Sequence, residues 1–253
     1  MRTAVITGAS SGLGAELVAA AAKEFPEIEC FWLMSRDARK LTETAKTLPK
    51  GKKAEIISVD LATDEGYVLY AEKLEAEKPN VVLLINAAGL GHLGNVADSM
   101  WQKQVQMVDV NVRGVTAVTT ITLPYMERGG RIINISSIAS FCPNPRMTVY
   151  SSTKAFVSSF GAGLNDELRK TGIRVTTVSP GPIDTAFLEK ANIKGNSKMF
   201  KMLPYCDVKK TAKGAVKASA KGRKYYTPRA FFKLYRVVAK IIPQGIMVKI
   251  ART

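Results

Sequence analysis

Histidine is nearly missing from this chain, and cysteine is scarce: one His and three Cys in 253 residues. Cys30, Cys142 and Cys206 are too scattered for a disulfide framework or a metal site, so no metal is expected. That usage fits a reducing compartment. No uninterrupted apolar run is long enough to span a bilayer. The start shows no basic flank followed by an apolar stretch and a cleavage site, so a cytoplasmic location is expected. Internal repeats and low-complexity linkers are absent, and the length suits one α/β domain. Acidic residues run short in one place. Residues 187–253 hold 2 Asp/Glu against 17 Lys/Arg, while residues 1–186 hold 19 against 20. The net charge of +16 therefore belongs almost wholly to the last quarter. Such asymmetry speaks of partners, not of fold. No recognised nucleic-acid module accompanies it, so nucleic acid is not an expected partner.

The chain does hold strands alternating with helical periodicity. Apolar strands are expected at 4–7, 30–35, 54–59, 81–85, 131–135 and 173–179, with helices at 15–23, 38–47, 64–77, 99–127 and 149–170 between them. That alternation implies a doubly wound parallel sheet, a Rossmann fold, with its ligand at the strand C-terminal ends. The first strand runs into Gly8-Ala9-Ser10-Ser11-Gly12-Leu13-Gly14 and then a helix. Glycines let a backbone approach a pyrophosphate, and a helix N-terminus offers free N–H groups. The bland alternative is a tight turn. The second strand ends in Ser35-Arg36, where an arginine suits the 2′-phosphate of NADP; Asp37 behind it is either a ribose ligand or a helix N-cap. Asp60-Leu61 and Asn86-Ala87-Ala88-Gly89 close the third and fourth strands. A helix cap and a turn former are the alternatives for Asp60 and Asn86. Asn111 lies in mid-helix, an unfavourable place that marks either function or a buried structural amide. His92 reads as a loop residue near the substrate mouth.

Tyr150 and Lys154 sit four residues apart on the helix 149–170, hence on one face. A neighbouring ammonium favours phenolate and lowers the tyrosine's pKa. Ser136-Ser137 ends the fifth strand, and strand alternation sends the two hydroxyls to opposite sides.

Taken in order, Thr7–Gly14, Asp60, Asn86–Gly89, Asn111, Ser137, Tyr150, Lys154 and Pro180-Gly181-Pro182-Ile183-Asp184-Thr185 resemble the short-chain dehydrogenase/reductase family. Within it the chain resembles hydroxysteroid dehydrogenases and 3-oxoacyl reductases. The resemblance implies Tyr150 as general acid and base, Lys154 as its pKa modifier and ribose ligand, and Ser137 on the substrate oxygen. It implies Asn111 holding a water beside Lys154. Gly8, Ser10, Ser11, Gly12, Leu13 and Gly14 would surround the pyrophosphate, with Ser35, Arg36, Asp60 and Leu61 at the adenosine. Asn86, Ala87, Ala88 and Gly89 would pack on its ribose, and Pro180, Gly181, Ile183 and Thr185 would hold the nicotinamide. The cofactor expected is NADP(H), with NAD(H) as the alternative. A homodimer or homotetramer is expected, helped by the small residues Ser158, Ser159, Gly161, Ala162 and Gly163.

The family builds its substrate lid at about 186–221. Here that stretch carries Phe187, Leu188, Met199, Phe200, Met202, Leu203 and Tyr205, which suits a bulky apolar ketone or alcohol. Lys190, Lys194, Lys198, Lys201, Lys209, Lys210, Lys213 and Lys217 form either an outer face or an anion site. The domain is expected over 1–228, followed by a basic amphipathic tail at 229–253. In it Phe231, Leu234, Tyr235, Val238, Ile241 and Ile242 repeat at helical spacing, with Lys233, Arg236 and Lys240 on another face. Such a helix suits a membrane interface, the domain's own surface or a second subunit. The opposing functional reading is a scaffolding, cofactor-sensing or membrane-surface protein on the same fold.

Overall fold

The structure, a computed structural model, describes residues 1–251. Arg252 and Thr253, the last two residues of the expected tail, lie outside the described residues, as does the side chain of Lys198.

Seven parallel strands form one sheet: β1 (Arg2–Thr7), β2 (Cys30–Ser35), β3 (Lys53–Ser58), β4 (Asn80–Asn86), β5 (Arg131–Ile135), β6 (Arg174–Val178) and β7 (Tyr225–Tyr226). Their order is β3-β2-β1-β4-β5-β6-β7. β1 runs beside β2 on one side and β4 on the other, so the winding direction reverses there. Loops diverge at that reversal and leave a crevice at the strand C-terminal ends. Six strands match the apolar runs. β7 is a two-residue pairing with β6 that carries no pattern long enough to read.

Both sheet faces are covered, which explains the continuous apolar strands. On one face α1 (Gly12–Glu24), α2 (Ala38–Ala45) and α9 (Val208–Ala220) close over Ile6, Phe31, Leu33, Leu83 and Ile133. On the other, α3 (Asp64–Glu77), α5 (Gly114–Thr122) and α6 (Thr148–Glu167) cover Val5, Trp32, Leu84 and Ile132. α4 (Trp101–Val108) precedes α5. The helix expected at 99–127 is not continuous: a wide π-type turn, Asp109–Arg113, separates α4 from α5, and a 3₁₀ turn, Leu123–Tyr125, follows. An inserted turn of this kind often marks a functional site, and Asn111 sits inside it.

The stretch expected as one lid divides in two. α7 (Ala186–Lys190) and α8 (Lys198–Met202) lie over the sheet ends. α9 is instead part of the sandwich: Ala212, Ala215 and Val216 are buried in its core, while Lys209, Lys210, Lys213 and Lys217 face out. The tail folds back as α10 (Ala230–Ile241) and α11 (Gln244–Ile250). Phe232 and Met247 are buried, and Tyr235, Val238 and Ile242 pack with Met247 and Cys142. The Arg236 guanidinium stands 3.9 Å over the Tyr225 ring. So the expected single stripe separates, with Tyr235, Val238 and Ile242 turned inward and Phe231, Leu234 and Ile241 left exposed.

On α6, Ser158 bonds to Ser136 and Ser140, and a Cβ on Gly161 would meet Thr177 at 2.3 Å. Those two small residues serve packing within the chain, while Ser159 and Gly163 lie on the helix's open face. No helix among the described residues is long and apolar enough to cross a membrane.

Candidate active site

One cavity of about 710 Å³ occupies the crevice. It has a glycine-lined end at the β1–α1 turn and an apolar end under α7, α8 and the tail.

The glycine turn is shaped by contacts no side chain could accept. Gly8 has φ +66° and lies against Ala88, where an added Cβ would approach the backbone to 2.7 Å. A Cβ on Gly14 would come within 2.0 Å of the Gly8 carbonyl oxygen. Ser11 occupies the N-cap of α1 yet makes no capping hydrogen bond. By contrast α2, α3 and α9 are capped by Asp37, Thr63 and Asp207. The first turn of α1 therefore presents uncapped N–H groups along a cavity wall made of Gly8, Ser10, Ser11, Gly12, Leu13 and Gly14. That is the electrostatic setting a diphosphate needs. The residues present fit a dinucleotide.

At the neighbouring wall stand Ser35, Arg36, Asp60 and Leu61. Asp37 lines the same wall, caps α2 by accepting the Lys40 amide at 3.1 Å and pairs with the Lys40 ammonium at 3.5 Å. Arg36 keeps a loose ion pair with Asp60 at 3.7 Å, and Asp60 also accepts the Ala62 amide at 3.0 Å. Lys40 lines the same wall, a position that carried no sequence signal. The Thr7 hydroxyl accepts both the Ala87 and Ala88 amides at 3.1 Å, which fixes the Ala87-Ala88-Gly89 turn along the cavity floor.

Two asparagines stand behind the wall rather than in it. Asn86 is buried; its Nδ2 donates to Thr119 and Asn134, both at 2.9 Å, tying β4 to its neighbours. Asn111 accepts the Leu90 amide at 2.8 Å and donates to the Leu90 carbonyl at 2.9 Å and to Thr153 at 3.0 Å. It sits beside Gly89, where an added Cβ would meet both its Oδ1 (3.3 Å) and Lys154 Nζ (3.2 Å).

At the centre are Ser137, Tyr150 and Lys154. The two serines diverge as strand alternation requires. Ser136 donates to the Lys154 carbonyl at 2.8 Å, into the body of α6. Ser137 instead meets the Tyr150 hydroxyl and accepts the Ala139 amide at 3.1 Å. Lys154 donates to the Ile135 carbonyl at 2.9 Å and lies 5.9 Å from the Tyr150 ring. Burial pushes the Lys154 ammonium down to about 8. Burial pushes the Tyr150 phenol up to about 12, with the Ser137 contact pulling the other way. The lowering expected from Lys154 does not appear in this geometry: burial sets the direction, and the Ser137 contact is the opposing effect.

Pro180, Gly181, Ile183 and Thr185 form the wall opposite. His92 is absent from it; its Nε2 lies 3.2 Å from Ser99 Oγ in a surface loop. The apolar end is made by Met147, Phe187, Leu188, Met199, Phe200 and Leu203. Phe231, Phe232, Tyr235, Ile250 and Ala251 of the tail complete it, residues that sequence reasoning assigned to a separate segment. Periodicity shows an amphipathic helix but not what it folds against.

Known proteins resemble the chain. A family profile described as short chain dehydrogenase matches residues 2–196. An uncharacterized oxidoreductase of Staphylococcus saprophyticus is 37% identical over 188 residues, covering 73% of this chain and 79% of that one. Among solved structures, a short-chain dehydrogenase from Sphingobium yanoikuyae in complex with NADPH superposes with a TM-score of 0.82 at 26% identity, over 98% of this chain and 95% of that one. A bulky-bulky ketone specific alcohol dehydrogenase from Comamonas testosteroni does so with a TM-score of 0.76 at 25% identity, over 98% and 94%. The chain belongs to the short-chain dehydrogenase/reductase family. It is an NAD(P)-dependent oxidoreductase of that family.

Proposed function

We propose that the protein is an NADP(H)-dependent reductase of bulky apolar ketones, of steroid or 3-oxoacyl type, and the dehydrogenase of the matching secondary alcohols. The carrying observation is the placement of the Ser137 and Tyr150 hydroxyls together in the cavity that also holds the uncapped turn of α1. When bound, the dinucleotide supplies or accepts the hydride at its nicotinamide C4. This chain's own groups do the rest. Ser137 donates a hydrogen bond to the substrate oxygen. Tyr150, kept protonated at neutral pH by burial, gives that oxygen its proton in reduction and recovers it in oxidation. Lys154 is anchored on the Ile135 carbonyl and holds positive charge beside the phenol and the ribose. Asn111 braces the loop and helix that position Lys154.

The preference for the 2′-phosphate rests on Arg36 and Lys40 at the adenosine wall and on Asp37 being engaged in its cap. The substrate class rests on the aromatic and aliphatic lining under α7, α8 and the tail, and the Comamonas ketone enzyme supports it. The same reading includes a homodimer or homotetramer, for which the small residues Ser159 and Gly163 stand exposed on α6, and peripheral contact of the tail with membrane. A panel of soluble and apolar ketones, run with NADPH and NADH, tests the reading. Tyr150→Phe is expected to bind NADPH normally, seen by fluorescence, and to lose turnover by about 10²–10⁴-fold. Near wild-type rates in that variant would overturn the mechanism.

A further inference from the structure

α10 is apolar on two sides. The inward side is satisfied by the chain itself: Phe232 is buried against Gly181, and Tyr235 lies 2.9 Å from the Cys142 sulfur. The outward side is left largely uncovered by the described residues. Phe231, Leu234, Val237 and Ile241 follow one another at helical spacing and are 54%, 64%, 53% and 76% exposed. Ile246 and Ile250 add to them at 53% and 61%. An exposed row of this kind marks an interaction surface.

Its charge selects the occupant. No Asp or Glu follows Asp207 in the sequence. Lys233, Lys240 and Lys249 are exposed, and none of the ion pairs among the described residues includes them. A second copy brought face to face would set these cations against their own kind, at a Coulombic cost. An anionic lipid surface complements both features, since it takes apolar side chains below and lysines at the headgroups.

The cavity meets this row. Phe231 and Ile250 line it and are also more than half exposed, so its apolar end reaches the surface among them. We infer that the outward face of α10 and α11 seats the protein on an anionic bilayer and that the substrate cavity opens within that face. A lipid-dissolved ketone then passes between bilayer and site without crossing water. The docking surface stands on the tail's geometry alone; the port rests on the ketone reading above.

The test is sedimentation of the full chain with vesicles of phosphatidylcholine, alone or mixed with phosphatidylglycerol. Wild type is expected to pellet with the mixed vesicles and not with the neutral ones. Leu234→Asp/Ile241→Asp and Lys233→Glu/Lys240→Glu are expected to lose binding by about tenfold or more, since each basic residue contributes about fivefold at an anionic surface. None of the four side chains lines the cavity, so turnover of a water-soluble ketone should match wild type in both. Turnover of an apolar ketone dissolved in mixed vesicles should fall with binding. Equal pelleting of wild type and Leu234→Asp/Ile241→Asp would overturn the docking surface. So would a wild-type dimer in solution that the same variant splits, with no vesicle binding. Lost binding with an unchanged rate on vesicle-dissolved ketone would overturn the port alone. Absence of turnover on every ketone would overturn the port and the ketone reading while leaving vesicle binding to be read.

Discussion

Lys154→Met should make the protein more stable at neutral pH while removing most of its activity. Lys154 is buried, 5% exposed, and no carboxylate among the described residues pairs with it; its donor contact is the Ile135 carbonyl at 2.9 Å. Holding its ammonium at about 8, against an ordinary 10.5, corresponds to roughly 3 kcal/mol of penalty on the charged form. Methionine removes that penalty and keeps most of the aliphatic stem. It also strands the Ile135 carbonyl, which costs about 1–3 kcal/mol. The net expectation at pH 7 is a gain of about 1 kcal/mol, or about 2–4 °C in Tm for a chain of this size. The pH dependence carries the stronger check. The folded-state pKa lies below the unfolded one, so between about 8 and 10.5 the unfolded chain binds the extra proton. Wild-type stability therefore rises with pH through that window, whereas the variant has no such group. Between pH 7 and 9.5 wild type should gain roughly 2 kcal/mol on the variant. Tyr150, displaced upward from 10, titrates above that range. Melting curves of both proteins at pH 7, 8 and 9.5 are the assay. A difference in Tm that stays constant across them would refute a buried, desolvated Lys154.

Three further substitutions probe the rest of the cavity. Arg36→Ala should raise the KM for NADPH by about 10–100-fold, the worth of a charge-assisted contact, and leave that for NADH nearly unchanged; parallel loss for both cofactors would remove Arg36 from the 2′-phosphate. Gly14→Ala puts a methyl within 2.0 Å of the Gly8 carbonyl, so dinucleotide binding should be lost in isothermal titration, and normal affinity would contradict the turn geometry. Gly181→Ala drives a Cβ to within 2.1 Å of the Phe232 ring, so it should destabilise the wild-type background. In a Phe232→Ala background, itself weaker by about 3–5 kcal/mol, it should cost little more; simple additivity would mean that the tail does not rest on Gly181.

Much of the molecule was legible because its signals are local. A glycine turn between an apolar strand and a helix is readable in eight residues, as is a Tyr and Lys one helical turn apart. The alternation of strand and helix then brings those local pieces to the same sheet edge, as Gly8 to Gly14 and Tyr150 with Lys154 meet in one cavity. Two features were misread for opposite reasons. The run at 99–127 has uninterrupted helical pattern, yet the chain widens at Asp109–Arg113, where Asn111 holds both the amide and the carbonyl of Leu90; a π-type turn leaves no gap in periodicity. The phenol of Tyr150 was expected low because an ammonium sits one turn away, but spacing says nothing of burial, and burial sets the sign for both groups.

The tail shows where a one-dimensional pattern stops being informative. A helix carrying Phe231, Phe232, Leu234, Tyr235, Val237, Val238 and Ile241 has more apolar surface than one face can hold. From sequence alone that excess reads as a single stripe with a lysine-bearing back. Folded, it becomes two surfaces with different obligations. One is fixed by Gly181, where the absence of a side chain admits the Phe232 ring and lets the tail complete a cavity begun some two hundred residues earlier. The other is left largely uncovered by the described residues. A helix used only as a lid would gain solubility from polar residues at 234, 237 and 241. Their apolar identity, beside lysines that no ion pair among the described residues includes, is a cost in water that an apolar, anionic surface would remove.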